Sequence, residues 1–336
     1  MINFRFHIVS LTAVLLALGI GLVLGTTFLD DATINGLERQ LDGLERDLDR
    51  AQARNDAQQQ RLGAFDDERE QLAEQLGERL YGGLLDADPV LVVSTRGIDD
   101  QWVDGVLDVL AQADADVVGV WWLTDRLVLD DESEVDDLST ALELTTDDGD
   151  RLNRNLALQL ADVLFGAVDA PSGDVVPDPA QTAPAEPALL SRLREAGFVE
   201  YQLPEGDDSD VVRLPASELR VVVVDGPDAS LAAGDVLIPV LAELAADGPM
   251  PVVATQPTVV TGDDGDDTAQ PELVGAVRDD ETLSQRLSTV DNLDLVSGRV
   301  ATVLATADAV PGDPTIGRYG NGDGADRVLP APAEGG

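Results

Sequence analysis

PVLVVSTRGIDDQWVDGVLDVLAQADADVVGVWWL, residues 89 to 123, decides the fold. An apolar run from Pro89 to Ser94 passes through a polar turn, Thr95 to Asp100, into a segment that sets Trp102, Val103, Val106, Leu107 and Leu110 on one helical face. A second apolar run, Asp116 to Leu123, follows. Strand, helix and strand within about 35 residues form a βαβ unit, which requires a sheet that is at least partly parallel. The turn after the first run has neither G-x-G-x-x-G nor a Walker A lysine, so neither nucleotide fingerprint is met. A phosphate-binding turn at Ser94 to Gly97 is therefore set against a plain connection, which is the reading favoured.

The same alternation continues toward the carboxyl terminus. Patterns between Asp130 and Gly166 are helical, with Leu152, Leu156, Leu160, Val163 and Leu164 on one stripe, and the prolines from Pro171 to Pro187 mark an extended loop. A helix at Ala188 to Ala196 leads to a strand at Phe198 to Leu203. Leu219 to Asp225, LRVVVVD, is continuous in β-branched residues rather than alternating, which places it at the centre of the sheet with both faces buried. A helix at Val236 to Ala246 and a strand at Val252 to Thr255 make another parallel step. Asp263 to Asp267, DDGDD, lacks the oxygen spacing and later glutamate of an EF-hand and reads as a solvated loop. Ser288 to Asn292 reads as a strand edge running into polar turn residues, and Val296 to Ala309 as a closing helix. Ser288, Thr289, Asp291 and Asn292 are candidates to line a site at a strand's carboxyl end, with Tyr319 beside them in the family motif given below. The competing reading is that their hydrogen bonds tie the turn to the next helix. The α/β domain is expected over 88–320, with a disordered tail at 321–336.

The amino-terminal end has a different pattern. Ile8 to Leu29 holds 22 residues without a charge, about 33 Å as a helix, enough to cross a bilayer core. Residues 1–7 form a short tip, with Arg5 before the run and Asp30 and Asp31 after it, so the positive-inside bias leaves the amino terminus in the cytoplasm and the bulk outside. A cleaved signal would have a shorter apolar core and a small-x-small site, and neither fits. Gly21 and Gly25 form a small-xxx-small pair that lets two such helices approach.

Across 32–80 apolar residues adopt a 4-3 spacing, with Ile34, Leu37, Leu41, Leu44, Leu48, Asn55, Leu62, Phe65, Leu72 and Leu76 on the seam. About six heptads predict a coiled-coil stalk, and Asn55 at an a position suits a parallel homodimer. The alternative is one long helix packed on its own domain.

Composition narrows the chemistry. The 65 acidic and 21 basic residues leave a net charge of −44, which repels nucleic acid and anionic lipid headgroups. Every basic residue is Arg, no Cys occurs, the sole His is His7, and Met is found only at Met1 and Met250. Disulfides and thiolate chemistry are excluded, and acid–base or nucleophilic schemes outside the membrane reduce to carboxylates, Ser, Thr and Tyr. No catalytic residue, cofactor or metal site is assigned, and the chain is not expected to be an enzyme.

HIVSLTAVLLALGIGLVLG at His7 to Gly25, the leucine stalk, VSTRG at Val93 to Gly97, STVDNLDLVSGRVATVLA at Ser288 to Ala305 and RYG at Arg318 to Gly320 together resemble the actinobacterial copper transporter family typified by MctB, to which the cell-division protein SteB is also similar. The resemblance implies copper handling at the cell envelope, or control of cell separation through an envelope or division protein partner. The side chains resist the first of these. Copper prefers thiolate, thioether and imidazole donors, and the part beyond the span contains only Met250 among them. The expectation is therefore a single amino-terminal transmembrane helix, a long coiled-coil stalk and a mostly parallel, Rossmann-like layered α/β domain that acts as a binding or regulatory module. Direct copper transport or efflux is the alternative.

Overall fold

The computed structural model describes residues 6–24, 52, 81–168, 186–204, 211–215, 217–246, 248–258 and 273–331. The chain separates into two units, Met1–Arg69 and Glu70–Gly336. In the first, helix α1 (Phe6–Leu24) has a mean hydropathy of 2.4 and is long and apolar enough to cross a membrane. Gly21 lies on it with open space where a side chain would project. Gly25 and the seam residues Ile34 to Leu76 lie outside the described residues, as do Asp263 to Asp267.

The second unit begins earlier than residue 88. Tyr81 and Leu85 are already buried, and the Leu85 amide donates to the Ala113 carbonyl at 3.0 Å. Strand β1 (Pro89–Thr95), helix α2 (Asp100–Gln112) and strand β2 (Asp116–Leu123) form the expected βαβ unit. Asp99 starts α2 by accepting the Gln101 amide at 3.1 Å, satisfying one of the free donors at a helix start. Helices α3 (Glu132–Ala141), α4 (Gly149–Val168) and α5 (Ala188–Glu195) lead to β3 (Val199–Gln202). Then come β4 (Arg220–Val224), α6 (Leu237–Leu244), β5 (Val252–Thr255), α7 (Leu273–Asp279), β6 (Ser288–Val290), α8 (Val296–Asp308) and β7 (Arg318–Tyr319).

Among the described residues the sheet has seven strands, in the order β3-β2-β1-β4-β5-β6-β7. Strand β4 is its middle member, as its unbroken valine run requires: Val221 and Val223 face one core, Val222 and Val224 the other. All pairings are parallel except β2 with β3, where Trp122 lies opposite Glu200. Ser288 to Val290 is not at the edge, because β7 pairs outside it. Helices α3 to α7 pack on one face of the sheet, while α2 and α8 cover the other.

Nor does residue 320 end the ordered chain. Gly320 donates to the Arg327 carbonyl at 3.0 Å, Asp326 to the Arg318 carbonyl at 2.8 Å, and defined backbone continues to Ala331. The expected tail over 321–336 is thus corrected for 321–331. Its polar composition conceals the acceptor that binds it, Asp291, which is 30 residues from Asn321 in sequence.

Candidate functional site

Open parallel sheets bind ligands outside the carboxyl ends of their strands, where the strand order reverses. Here that point lies between β1 and β4, since β2 and β3 lie on one side and β5 to β7 on the other. The crevice is filled by the chain itself. Ser94 donates its hydroxyl to the Val224 carbonyl at 2.8 Å, and the Ser230 amide donates to the Arg96 carbonyl at 2.7 Å. Gly97, at φ +95°, sits so close to the 228–230 backbone that an added Cβ would fall 2.6 Å from the Asp228 oxygen. Side chains of Ile98 and Trp102 meet Gly226 on the adjoining side. The first turn of α2 carries Asp99 and Asp100, charges that oppose a phosphate at a helix start. These contacts support reading Ser94 to Gly97 as a connection, although Thr95 Oγ1 within it is buried with no hydrogen-bond partner among the described residues.

The residues singled out at Ser288 to Asn292 and Tyr319 do come together, around an arginine that was not singled out. Arg278 of α7 is buried with Asp291 as an ion pair, with side-chain exposures of 5% and 7%. Its Nε donates to Thr289 Oγ1 at 3.0 Å, Nη2 to the Tyr319 carbonyl at 2.8 Å, and Nη1 to both Asp291 and the Asp323 carbonyl. Asp291 also accepts the Asn321 and Gly322 amides at 2.8 and 3.0 Å. Gly320, at φ +129°, lies so close to this carboxylate that a Cβ there would overlap it. Ser288 Oγ accepts the Gly317 amide at 3.2 Å. Asn292 donates its side-chain amide to Ser297 Oγ at 3.1 Å, and its carbonyl accepts the Leu295 amide at 2.9 Å, tying the turn to α8. The cluster is a clasp that holds the 318–331 segment to β6 and α7, and beside it Asn292 Oδ1 is buried with no hydrogen-bond partner among the described residues. Burial raises the Tyr319 hydroxyl pKa above its usual range, and the nearby Asp308 charge adds to the shift.

Other arginines have similar duties. Arg192 donates to the Ala141 carbonyl closing α3, Arg126 to Ala196 beyond α5, Arg286 to Ala245 and Ala246 beyond α6, and Arg220 to Ala309 beyond α8. Each meets a carbonyl at the negative end of a helix, where a cation is stabilising. Arg96, Arg126 and Arg194 also stack over Trp122, Phe198 and Tyr201 at 4.4, 4.9 and 5.6 Å. The compositional absence of Lys had no local sign of this use; only helix ends brought near in space reveal it.

The copper-preferring donors do not converge. Met250 is buried at the amino end of β5, the opposite end of the sheet from Tyr319. Burial raises the pKa of Tyr201 as well, with the Glu186 charge adding to it, which disfavours a phenolate ligand. Among the described residues no group of three or more His, Cys, Asp or Glu is placed to hold a metal ion. The donor set does not fit a copper site.

The described residues thus combine an amino-terminal helix apolar enough to cross a bilayer with a doubly wound, mostly parallel α/β domain. The chain belongs to the family described as "Copper transport outer membrane protein, MctB", which matches residues 1–330. It is 29% identical to the copper transporter MctB of Mycobacterium tuberculosis over 328 residues, 97% of this chain and 98% of that one. The Mycobacterium leprae copper transporter MctB is also 29% identical, over 337 residues, 98% of this chain and 99% of the other.

Proposed function

We propose that this protein is a single-pass, membrane-anchored envelope component, with its amino terminus in the cytoplasm and an outward domain that binds or regulates a protein partner rather than catalysing a reaction. The observation that carries this reading is the state of the domain's polar groups. Its switch-point crevice is occupied by the 226–230 segment, and Arg278 and Asp291 bond within the chain, while the buried Thr95 Oγ1 and Asn292 Oδ1, at the ends of β1 and β6, have no hydrogen-bond partner among the described residues. Exposed carboxylates such as Asp104 and Asp108 remain on the surface for recognition, which suits a macromolecular partner. The heptads support a homodimer through the stalk, the family name supports a role in copper homeostasis, and the likeness to SteB supports one in cell separation.

The second reading, direct copper transport or efflux, is favoured by the name its relatives carry, copper transporter MctB. Its cargo would need ligands that the exported part supplies only as carboxylates, buried Met250, phenols and backbone groups, a set better suited to hard cations. Calorimetric titration of the full chain in detergent against a competing chelator decides between them. We expect no copper(I) or copper(II) binding tighter than about micromolar. A stoichiometric site that survives excess calcium and disappears in Met250→Ala would restore the transport reading.

A further inference from the structure

The two faces of the sheet are unequally covered. Helices α3, α4 and α5, which connect β2 to β3, all pack with the core on one side, so among the described residues no helix of that connection covers the opposite face of β2 and β3. What remains there is a groove of about 560 Å³ between α2 and the β2–β3 edge. Its α2 wall is one stripe, Asp104, Leu107, Asp108 and Ala111, spaced i, i+3, i+4 and i+7. Val117 and Leu203 line the sheet side. At the groove's far side Trp122 is shielded by the Arg96 guanidinium stacked at 4.4 Å and by Gln202, which accepts its indole N–H at 3.0 Å.

Asp104 and Asp108 are exposed and have no hydrogen-bond or ion-pair partner among the described residues, and no arginine lines the groove. A wall with apolar side chains and two free carboxylates one helical turn apart calls for an occupant with the reverse pattern. We infer that this groove docks a cationic amphipathic helix of a partner protein, laid beside α2 with its apolar stripe on Leu107, Val117 and Leu203 and two basic residues one turn apart on Asp104 and Asp108. Such a helix supplies the member missing from the layer, at the 8–10 Å separation of packed helices. The inference rests on the partner-binding reading above and gives that partner a chemistry.

The test uses the full chain in zwitterionic nanodiscs and two synthetic amphipathic helical peptides of identical pattern, one Leu/Lys and one Leu/Glu. The Leu/Lys peptide should bind saturably at one per chain and crosslink from a photoreactive residue at position 204, on the exposed rim of the groove, but not at 158, on the outer face of α4. Asp104→Asn with Asp108→Asn should weaken binding about tenfold, and Ala111→Trp similarly by filling the groove. Asp150→Asn with Asp162→Asn removes the same charge from α4 and should leave binding unchanged. Equal weakening by the two pairs would reduce the effect to bulk charge and overturn the inference. So would equal binding of the Leu/Glu peptide, or crosslinks from position 204 to the protein's own chain or a second copy. If Ala111→Trp still recovers the wild-type set of partners from native membranes, the groove is refuted while the partner-binding reading stands.

Discussion

Replacing Asp291 by Ala tests the clasp directly. Asp291 and Arg278 are nearly inaccessible, with side-chain exposures of 7% and 5%. Removing one partner of a buried pair strands the other charge and costs about 3–5 kcal/mol. The Asn321 and Gly322 amides also lose their acceptor. Each buried donor left bare costs about 1–3 kcal/mol, but the 321–331 segment can swing toward water and recover most of that. A total near 4 kcal/mol is therefore the expectation, and in a domain of this size it lowers Tm by roughly 8–16 °C. The internal comparison is Asp326→Ala, which removes an Arg318 pair whose side chains are 38% and 50% exposed. That pair is solvated, and its loss should cost less than about 1 kcal/mol. Differential scanning calorimetry of both variants as full chains, with proteolysis to follow release of the carboxyl-terminal segment, gives the answer. Equal Tm losses for Asp291→Ala and Asp326→Ala, or a carboxyl-terminal segment no more susceptible than in the parent, would refute the clasp. The Arg278→Ala and double variants complete a cycle in which the double should cost clearly less than the sum of the singles.

Two further outcomes are expected. Burial raises the Asp308 carboxyl pKa above its ordinary value, so its charged form is disfavoured in the fold; Asp308→Asn should then be more stable than the parent at neutral pH. The advantage should shrink as pH falls through the raised folded value and vanish below the unfolded value of about 3.9, and a constant difference across that range in paired urea melts would contradict it. In the stalk, replacing Leu41, Leu48 and Leu62 by Ser, at about 2–5 kcal/mol per buried leucine, should abolish self-association, read by sedimentation of the full chain in detergent. A parent protein that sediments as a monomer at tens of micromolar would instead favour a stalk packed on its own domain.

Local periodicity was enough to place most of the scaffold. The runs at Pro89 to Ser94 and Asp116 to Leu123, the helix between them and the central position of Leu219 to Asp225 could be read from the chain, because a strand buried on both faces must be apolar at every position. The apolar helix Phe6–Leu24 was legible for the same kind of reason, since its run is uninterrupted and long enough to cross a bilayer. Strand direction was another matter. The antiparallel placement of β3 depends on where three preceding helices deliver the chain, and β7 is only two residues long, Arg318 and Tyr319, too short to show any period. The motif at Ser288 to Asn292 was visible as a group, but its centre was not. Arg278 lies 13 residues before Asp291 and 41 before Tyr319, and nothing local distinguishes it from a solvated arginine. Closure of the switch-point crevice by Asp228 and Ser230, and the groove left beside α2, are likewise products of how distant segments pack. Short-range side-chain patterns are written into a chain, whereas the partners of buried charges and the spaces left empty exist only once the chain has folded.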